Sequence, residues 1–142
     1  MRYTQDMNDI RDLSSSGITF IGTRTKYIEE MKQFAEHVLG YKMTHETDTF
    51  VAFTTPQGQR FELFSEDESD KQHFPLGVPV PGFEVPDFDA AINWLHANNL
   101  EILGGIGEGD SGTRWAHFRG VDGNIYEFVY HPDHDKEVAE IQ

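Results

Sequence analysis

The chain has 142 residues, 25 acidic against 11 basic side chains, and a formal net charge of −14. This length fits one domain, and 37% hydrophobic with 13% aromatic residues gives enough apolar surface for a core. The negative field repels phosphate backbones and anionic headgroups, so we expect neither nucleic acid nor a membrane as partner. There is no cysteine, no secretory signal and no apolar run of about 18 residues, and we expect a cytoplasmic protein.

The first predicted module spans residues 17–67 and follows a polar arm at 1–16. A short strand at 18–24 precedes a helix that begins after Thr25 as N-cap and ends at Gly40. The apolar stripe of this helix consists of Ile28, Met31, Phe34, Ala35, Val38 and Leu39. A strand at 41–46 and a hairpin at 52–64 complete a βαβββ order.

A polar and acidic linker at 68–79 separates this module from a second one at 80–131. The second module has a strand at 80–85, a helix capped by Asp87 and stopped at Asn98 and Asn99, a strand at 100–103 and a hairpin at 117–129. Its helix stripe is Phe88, Ala91, Ile92 and Leu95. The glycine-rich run at 104–112 predicts a mobile loop, and residues 132–142 a polar tail.

The two modules repeat each other. Phe53, Gly58 and Glu62 recur 65 residues later as Phe118, Gly123 and Glu127. A helix covers only one face of a four-stranded sheet, so two such modules gain stability by packing together. We therefore predict an α+β fold in which two βαβββ modules form a pseudo-twofold pair, with curved mixed sheets enclosing a cleft.

Three segments resemble the vicinal oxygen chelate superfamily, which includes glyoxalase I, extradiol dioxygenases and bleomycin-binding proteins. They are FAEHVLGYKM at 34–43, FEVPDFDAAINWL at 83–95 and FRGVDGNIYEF at 118–128, and the resemblance covers residues 18–131. In the last segment Gly120 and Val121 stand where the family usually has Asp-Pro. The resemblance implies a homodimer or a monomer closed by its own two modules.

The resemblance also implies a site for a divalent ion built from two histidines and two glutamates. Glu62 and Glu127 match the two glutamates, but the family spacing puts Phe20 and Val80 at the two histidine positions. Neither side chain can coordinate a metal, so we expect no cofactor. If an ion is held, its ligands are Glu62, Glu127 and His117, the last from the strand that pairs with the Glu127 strand.

Glu127, flanked by Tyr126 and Phe128, is expected to be buried. Burial of a bare carboxylate is costly, so either its pKa rises or a cation pairs with it. The candidate cations are Arg24, Arg60 and Arg114. A structural ion pair, a general base and a ligand anchor all stay open as roles for Glu127.

Three functions follow. The first is binding of a small aromatic or apolar ligand in the cleft between apolar walls and polar anchors, with predicted contacts Phe20, Arg24, Glu62, Val80, Trp115, His117 and Glu127. The second is a lyase or dioxygenase that uses Glu127 as general base or holds an atypical metal. The third is an interaction module with a filled, vestigial cleft. Trp94 is expected to pack in the core or at its edge, and His131, His134 and Asp135 to belong to a solvated tail.

Overall fold

The computed structural model describes residues 12–109 and 111–132. Their contacts divide the chain into two compact units. The N-terminal unit contains residues 18–81, and the C-terminal unit contains residues 82–132 together with 12–17. The first eleven residues of the predicted arm, and His134 and Asp135 of the predicted tail, lie outside the described residues.

The N-terminal unit contains one helix and four strands. Its elements are β1 (Gly17–Thr25), α1 (Ile28–Gln33), a π-helical segment (Phe34–Val38), β2 (Lys42–Glu46), β3 (Phe50–Thr54), β4 (Arg60–Ser65) and a 3-10 turn (Ser69–Lys71). The strand order is β2-β3-β4-β1. Strands β1 and β4 are parallel, and the other two pairs are antiparallel.

The C-terminal unit repeats this order with β5 (Val80–Glu84), α2 (Phe88–Ala97), β6 (Ile102–Glu108), β7 (Arg114–Arg119) and β8 (Ile125–Tyr130). Its strand order is β5-β8-β7-β6, with β5 and β8 parallel. The predicted α+β fold class with two βαβββ modules is thereby confirmed. The cleft between the modules stays a prediction. No helix in the described part of the chain combines the length and the hydropathy needed to cross a bilayer.

Helix α2 forms as its sequence predicts. The Asp87 side chain accepts a hydrogen bond from the Ala90 amide at 3.0 Å, and Asn99 has the positive φ of a helix stop. All four residues of the predicted stripe are buried against the sheet, where they meet Val85, Ala116, Phe118 and Phe128. Trp94 packs at the edge of this cluster, as predicted.

Helix α1 departs from its predicted stripe. Ala35 is buried and Ile28 and Met31 pack beside it, whereas Phe34, Val38 and Leu39 are 41%, 69% and 40% exposed. For Val38 and Leu39 the reason is the π-helical segment: its wider turn, closed by a hydrogen bond from the Leu39 amide to the Phe34 carbonyl at 3.0 Å, rotates the residues after Phe34 away from the core. The predicted end at Gly40 is confirmed by its φ of 71°.

The predicted cap of α1 is wrong. Tyr27 is the N-cap residue and makes no side-chain cap, while the Thr25 hydroxyl accepts a hydrogen bond from the Tyr27 amide at 3.0 Å. Thr25 lies at the end of β1, two residues before the N-cap position, which is too early to cap the first turn of the helix. Its hydroxyl therefore shapes the turn between strand and helix.

The prediction of a mobile glycine-rich loop is also wrong for most of its length, because residues 102–108 form strand β6. Gly104 and Gly105, with φ of 73° and 76°, form an irregularity in the pairing with β7. Gly107 lies beneath the indole of Trp115, and a Cβ there would be 2.1 Å from the ring. Gly104 and Gly105 therefore allow a bulge in the strand, and Gly107 allows the Trp115 side chain to lie close to the backbone.

Candidate functional site

Each unit has one sheet face covered by its own helix and one that is not. In the C-terminal unit, Phe83, Ala116 and Phe128 point toward α2. The alternation of side chains along strands puts their neighbours on the other face. There the strand register aligns Gly82, Glu127 and His117 in one row across β5, β8 and β7.

His117 and Glu127 form a buried acid–imidazole pair. The imidazole Nε2 lies 3.1 Å from Oε1 of Glu127, and each residue is only 3% exposed. Burial of Glu127 is as predicted, and the imidazole of His117 is one of its contacts. A carboxylate and an imidazole in contact form the pair of groups that proton transfer in proteins most often uses.

The β7–β8 turn fixes the register of this pair. The Gly120 amide bonds to the Asn124 carbonyl at 2.8 Å, and Gly123 has a φ of 85°. The Asp122 carboxylate accepts hydrogen bonds from the Tyr126 hydroxyl at 2.6 Å and from Asn124. These bonds lower the pKa of Asp122 and raise the pKa of Tyr126. The turn therefore closes the hairpin with its own hydrogen bonds, without the Asp-Pro of the resembled family.

A second acid–imidazole pair joins β5 to the end of β8. Oε1 of Glu84 is 2.7 Å from Nδ1 of His131, and Oε2 accepts the His131 amide at 2.7 Å. Glu84 is 4% exposed. The prediction that His131 belongs to a solvated tail is wrong, because the clamp on Glu84 keeps its side chain 11% exposed.

The N-terminal unit has an equivalent clamp of opposite polarity. Arg24 stands at the end of β1 where Glu84 stands at the end of β5, and its Nη1 donates to the Glu66 carbonyl at 3.0 Å. Arg24 also donates to the carbonyl of Phe74 at 3.0 Å and to Gln72 at 3.4 Å. These three acceptors all lie in residues 66–74, so the guanidinium holds the segment that follows β4. Its predicted ligand contact stays a prediction.

The row equivalent to Gly82, Glu127 and His117 is Gly22, Glu62 and Ala52. It therefore has the glutamate but no imidazole, because alanine replaces His117. Phe20 also belongs to this face, and its ring lies directly over Gly22, where a Cβ would be 2.4 Å from Cζ of Phe20. Hydrocarbon thus occupies the space beside the strand position that is paired with Glu62.

Val80 and Trp115, the other predicted apolar walls, are both on the face that α2 does not cover. Val80 is 1% exposed, and Trp115 is half-buried with its indole flat on Gly107. Of the other predicted cations, Arg114 pairs with Asp89 at 2.9 Å, on the helix side of the sheet. The ligand contacts of Val80, Trp115 and His117 stay predictions.

Phe20 lines a pocket inside the N-terminal unit. The pocket has a volume of about 200 Å³. Five walls are apolar or aromatic and three residues are polar: Ile18, Phe20, Ile21, Tyr41 and Phe61, with Thr55, Gln59 and Arg60. Ile18 and Ile21 are 54% and 39% exposed, so this apolar surface faces water.

The donor set does not fit the metal that the resemblance implies. Within the described residues, no group of three or more His, Asp or Glu side chains is arranged to hold an ion. In the N-terminal unit the phenyl ring of Phe20 lies over Gly22, the strand partner of Glu62, and this ring offers no lone pair.

The sequence contained a signal for the His117 and Glu127 pair. The two residues are equally distant from the centre of the turn at 120–124, and antiparallel pairing places such residues opposite each other. The pocket had no comparable signal. Its lining combines β1 with Tyr41 and with Thr55 and Gln59 from the β3–β4 turn, and those contacts depend on side-chain packing.

Comparisons with known proteins agree with this fold. The family model described as Glyoxalase/Bleomycin resistance protein/Dioxygenase superfamily matches residues 17–128. Methylmalonyl-CoA epimerase from Mycobacterium tuberculosis is similar in structure, with a TM-score of 0.63 at 15% identity over 91% of this chain and 97% of that one. A glyoxalase/bleomycin resistance protein/dioxygenase superfamily member from Vibrio splendidus is similar with a TM-score of 0.57 at 19% identity, over 79% of this chain and 97% of that one. A hypothetical protein from Bacillus halodurans gives 0.61 at 18% identity over 80% and 93%.

No functionally curated protein matches the sequence. The family model nevertheless covers most of the chain, including both glutamate rows and both hairpins. The chain therefore belongs to the glyoxalase/bleomycin resistance protein/dioxygenase superfamily.

Proposed function

We propose that the protein binds a small organic molecule with a single apolar or aromatic ring, and that it does so without a metal. The observation that carries this proposal is the pocket of the N-terminal unit, in which Phe20 occupies the position of a metal-binding histidine in the family. The pocket lies within one unit. Binding in the predicted cleft is a separate proposal that this pocket does not require.

The size and lining of the pocket define the ligand. Cavities of about 150 Å³ accept a benzene ring, so the observed volume of about 200 Å³ suits one ring with a short substituent. A ligand against Ile18 and Ile21 removes their exposed apolar surface from water, at about 25 cal/mol per Å². The polar groups of Thr55, Gln59 and Arg60 orient the substituent.

Benzamide is a suitable neutral probe, and we expect a Kd of about 1 mM from its few non-hydrogen atoms. Ile18→Trp should weaken this binding at least about fivefold, because the larger side chain fills the space that the ring needs. Val38→Trp is the matched control, since Val38 is also an exposed aliphatic residue of this unit but does not line the pocket. Amide chemical shifts measured by NMR report both site and affinity.

The same titration after dialysis against a chelator should give an unchanged Kd. Two results would contradict the proposal. One is the absence of shift changes at Ile18 and Tyr41 in the wild-type protein, and the other is an equal loss of affinity in both tryptophan variants.

A second candidate function is proton transfer at carbon, and the observation that favours it is the buried contact between His117 and Glu127. The Glu127 carboxylate would take a proton from a carbon next to a carbonyl, leaving an enolate that regains a proton from Glu127 or from water. We expect exchange of the acetophenone methyl protons in D₂O above the buffer rate, with loss of that excess in Glu127→Gln. A wild-type rate equal to the buffer rate excludes this function for the probe.

A further inference from the structure

We infer that the ligand of this pocket is an anion, a small aromatic acid whose carboxylate meets Arg60. This inference rests on the proposed function and adds the chemical class of the ligand. Arg60 is the one charged residue among the described residues that line the pocket. The substituent of a bound ring therefore meets a positive charge and no negative charge in the lining itself.

The strand register brings Arg60 next to the ring wall. Arg60 on β4 is the Cα partner of Phe20 on β1, so the two side chains share one sheet face. Nη1 of Arg60 donates a hydrogen bond to the Thr54 hydroxyl at 2.8 Å, which helps to fix the position of the guanidinium. A planar guanidinium presents N–H groups in the geometry that a carboxylate accepts, and such charge-assisted bonds are stronger than neutral ones.

The two neutral polar residues of the lining are hydrogen-bonded to each other. The backbone amide of Gln59 donates to the Thr55 hydroxyl at 3.1 Å, and that hydroxyl donates to the side-chain oxygen of Gln59. This pairing closes the β3–β4 turn. Selectivity for the substituent therefore falls to the guanidinium of Arg60.

The chain as a whole opposes an anion, with its net charge of −14, and Glu62 follows Arg60 on the same face of β4. Exposed charges farther away than about 10 Å are largely screened at 0.1 M salt. At the pocket, contact with Arg60 should therefore outweigh the distant charges. Glu62 is near enough to oppose the anion directly, and this makes it a useful probe of the sign of the ligand charge.

Benzoate, benzamide and benzamidine test the inference, because they have nearly the same shape but carry negative, zero and positive charge. For the wild-type protein at 0.15 M salt we expect benzoate to bind about tenfold more tightly than benzamide, and benzamidine to bind most weakly. Arg60→Gln should abolish the preference, so that the benzoate and benzamide Kd values of this variant agree within about twofold. Glu62→Gln should lower the Kd of benzoate about twofold and raise the Kd of benzamidine.

Arg60→Lys is the conservative control. It keeps the positive charge but loses the planar fork, so part of the benzoate preference should remain. This variant also separates the effect of charge from the loss of the Thr54 hydrogen bond, which both substitutions alter.

The possible results separate this inference from the proposed function. Tightest binding by benzamidine, or an unchanged benzoate preference in Arg60→Gln, overturns the anionic ligand, while benzamide binding at Ile18 and Tyr41 still supports the pocket. Absence of shift changes at these residues with all three probes overturns both. A benzoate preference that is lost in Arg60→Gln and partly kept in Arg60→Lys supports both.

Discussion

Replacement of His117 by phenylalanine is expected to destabilise the protein by about 3 kcal/mol at pH 7. His117 is 3% exposed and in contact with Glu127, which is equally buried, so the substitution removes a polar contact from a buried carboxyl group. The penalty depends on the charge of Glu127. It should therefore shrink as the pH falls toward about 4, near the ordinary pKa of a glutamate in an unfolded chain, because folding then has less charge to bury.

Urea unfolding of four proteins measures this coupling: the wild type, His117→Phe, Glu127→Leu and the double variant. If the pair is a buried charge contact, the double variant should lose less stability than the sum of the two single-variant losses, because apolar groups replace both partners together. A His117→Phe variant within about 0.5 kcal/mol of the wild type at pH 7, or an equal loss at pH 7 and pH 4, would show that Glu127 does not depend on this imidazole.

The fold was predictable because it is encoded twice. The repeat of Phe53, Gly58 and Glu62 at an interval of 65 residues identified the hairpin of each unit. Helix α2 was predictable from Asp87 and its apolar spacing, since propensity, cap and pattern agree there. Helix α1 was not, because a π-turn changes the angular position of every later residue while leaving the composition unchanged.

The glycine-rich strand shows a different limit of sequence reasoning. Gly107 is required because the indole of Trp115 lies on it, and this contact joins two strands that local patterns treat separately. Five glycines in nine residues are typical of a loop when each is considered alone. Pairing with β7 is a tertiary effect, and it overrides the local preference.

The candidate site was predictable in its glutamates and not in their neighbours. Glu62 and Glu127 occupy equivalent positions in both units, as the repeat requires. Their cross-strand partners differ, Ala52 in one unit and His117 in the other. The two halves have therefore diverged chemically, toward an acid–imidazole pair in one and a ring-lined pocket in the other.

Gly22→Ala tests whether the Phe20 ring that lies over Gly22 shapes the pocket. We expect this substitution to lower the free energy of unfolding by about 2 kcal/mol. The added methyl group would lie 2.4 Å from Cζ of Phe20 and 3.0 Å from the Phe64 ring, so the Phe20 ring must move. Phe20 is a wall of the pocket, and its displacement should weaken benzamide binding about tenfold. Thermal or urea unfolding measures the first effect, and the NMR titration measures the second.

A second substitution identifies the cause. Phe20→Leu removes the ring atoms that the new methyl group meets, so it should restore at least half of the lost stability in the Gly22→Ala background, although it is destabilising alone. Gly109→Ala is the control for the change of glycine to alanine itself, because its nearest neighbour would be 3.6 Å from the added carbon. If Gly22→Ala is no more destabilising than Gly109→Ala, or if Phe20→Leu makes the double variant worse additively, the ring over Gly22 does not form this wall. If both expectations hold, Phe20 both packs the sheet face and shapes the pocket.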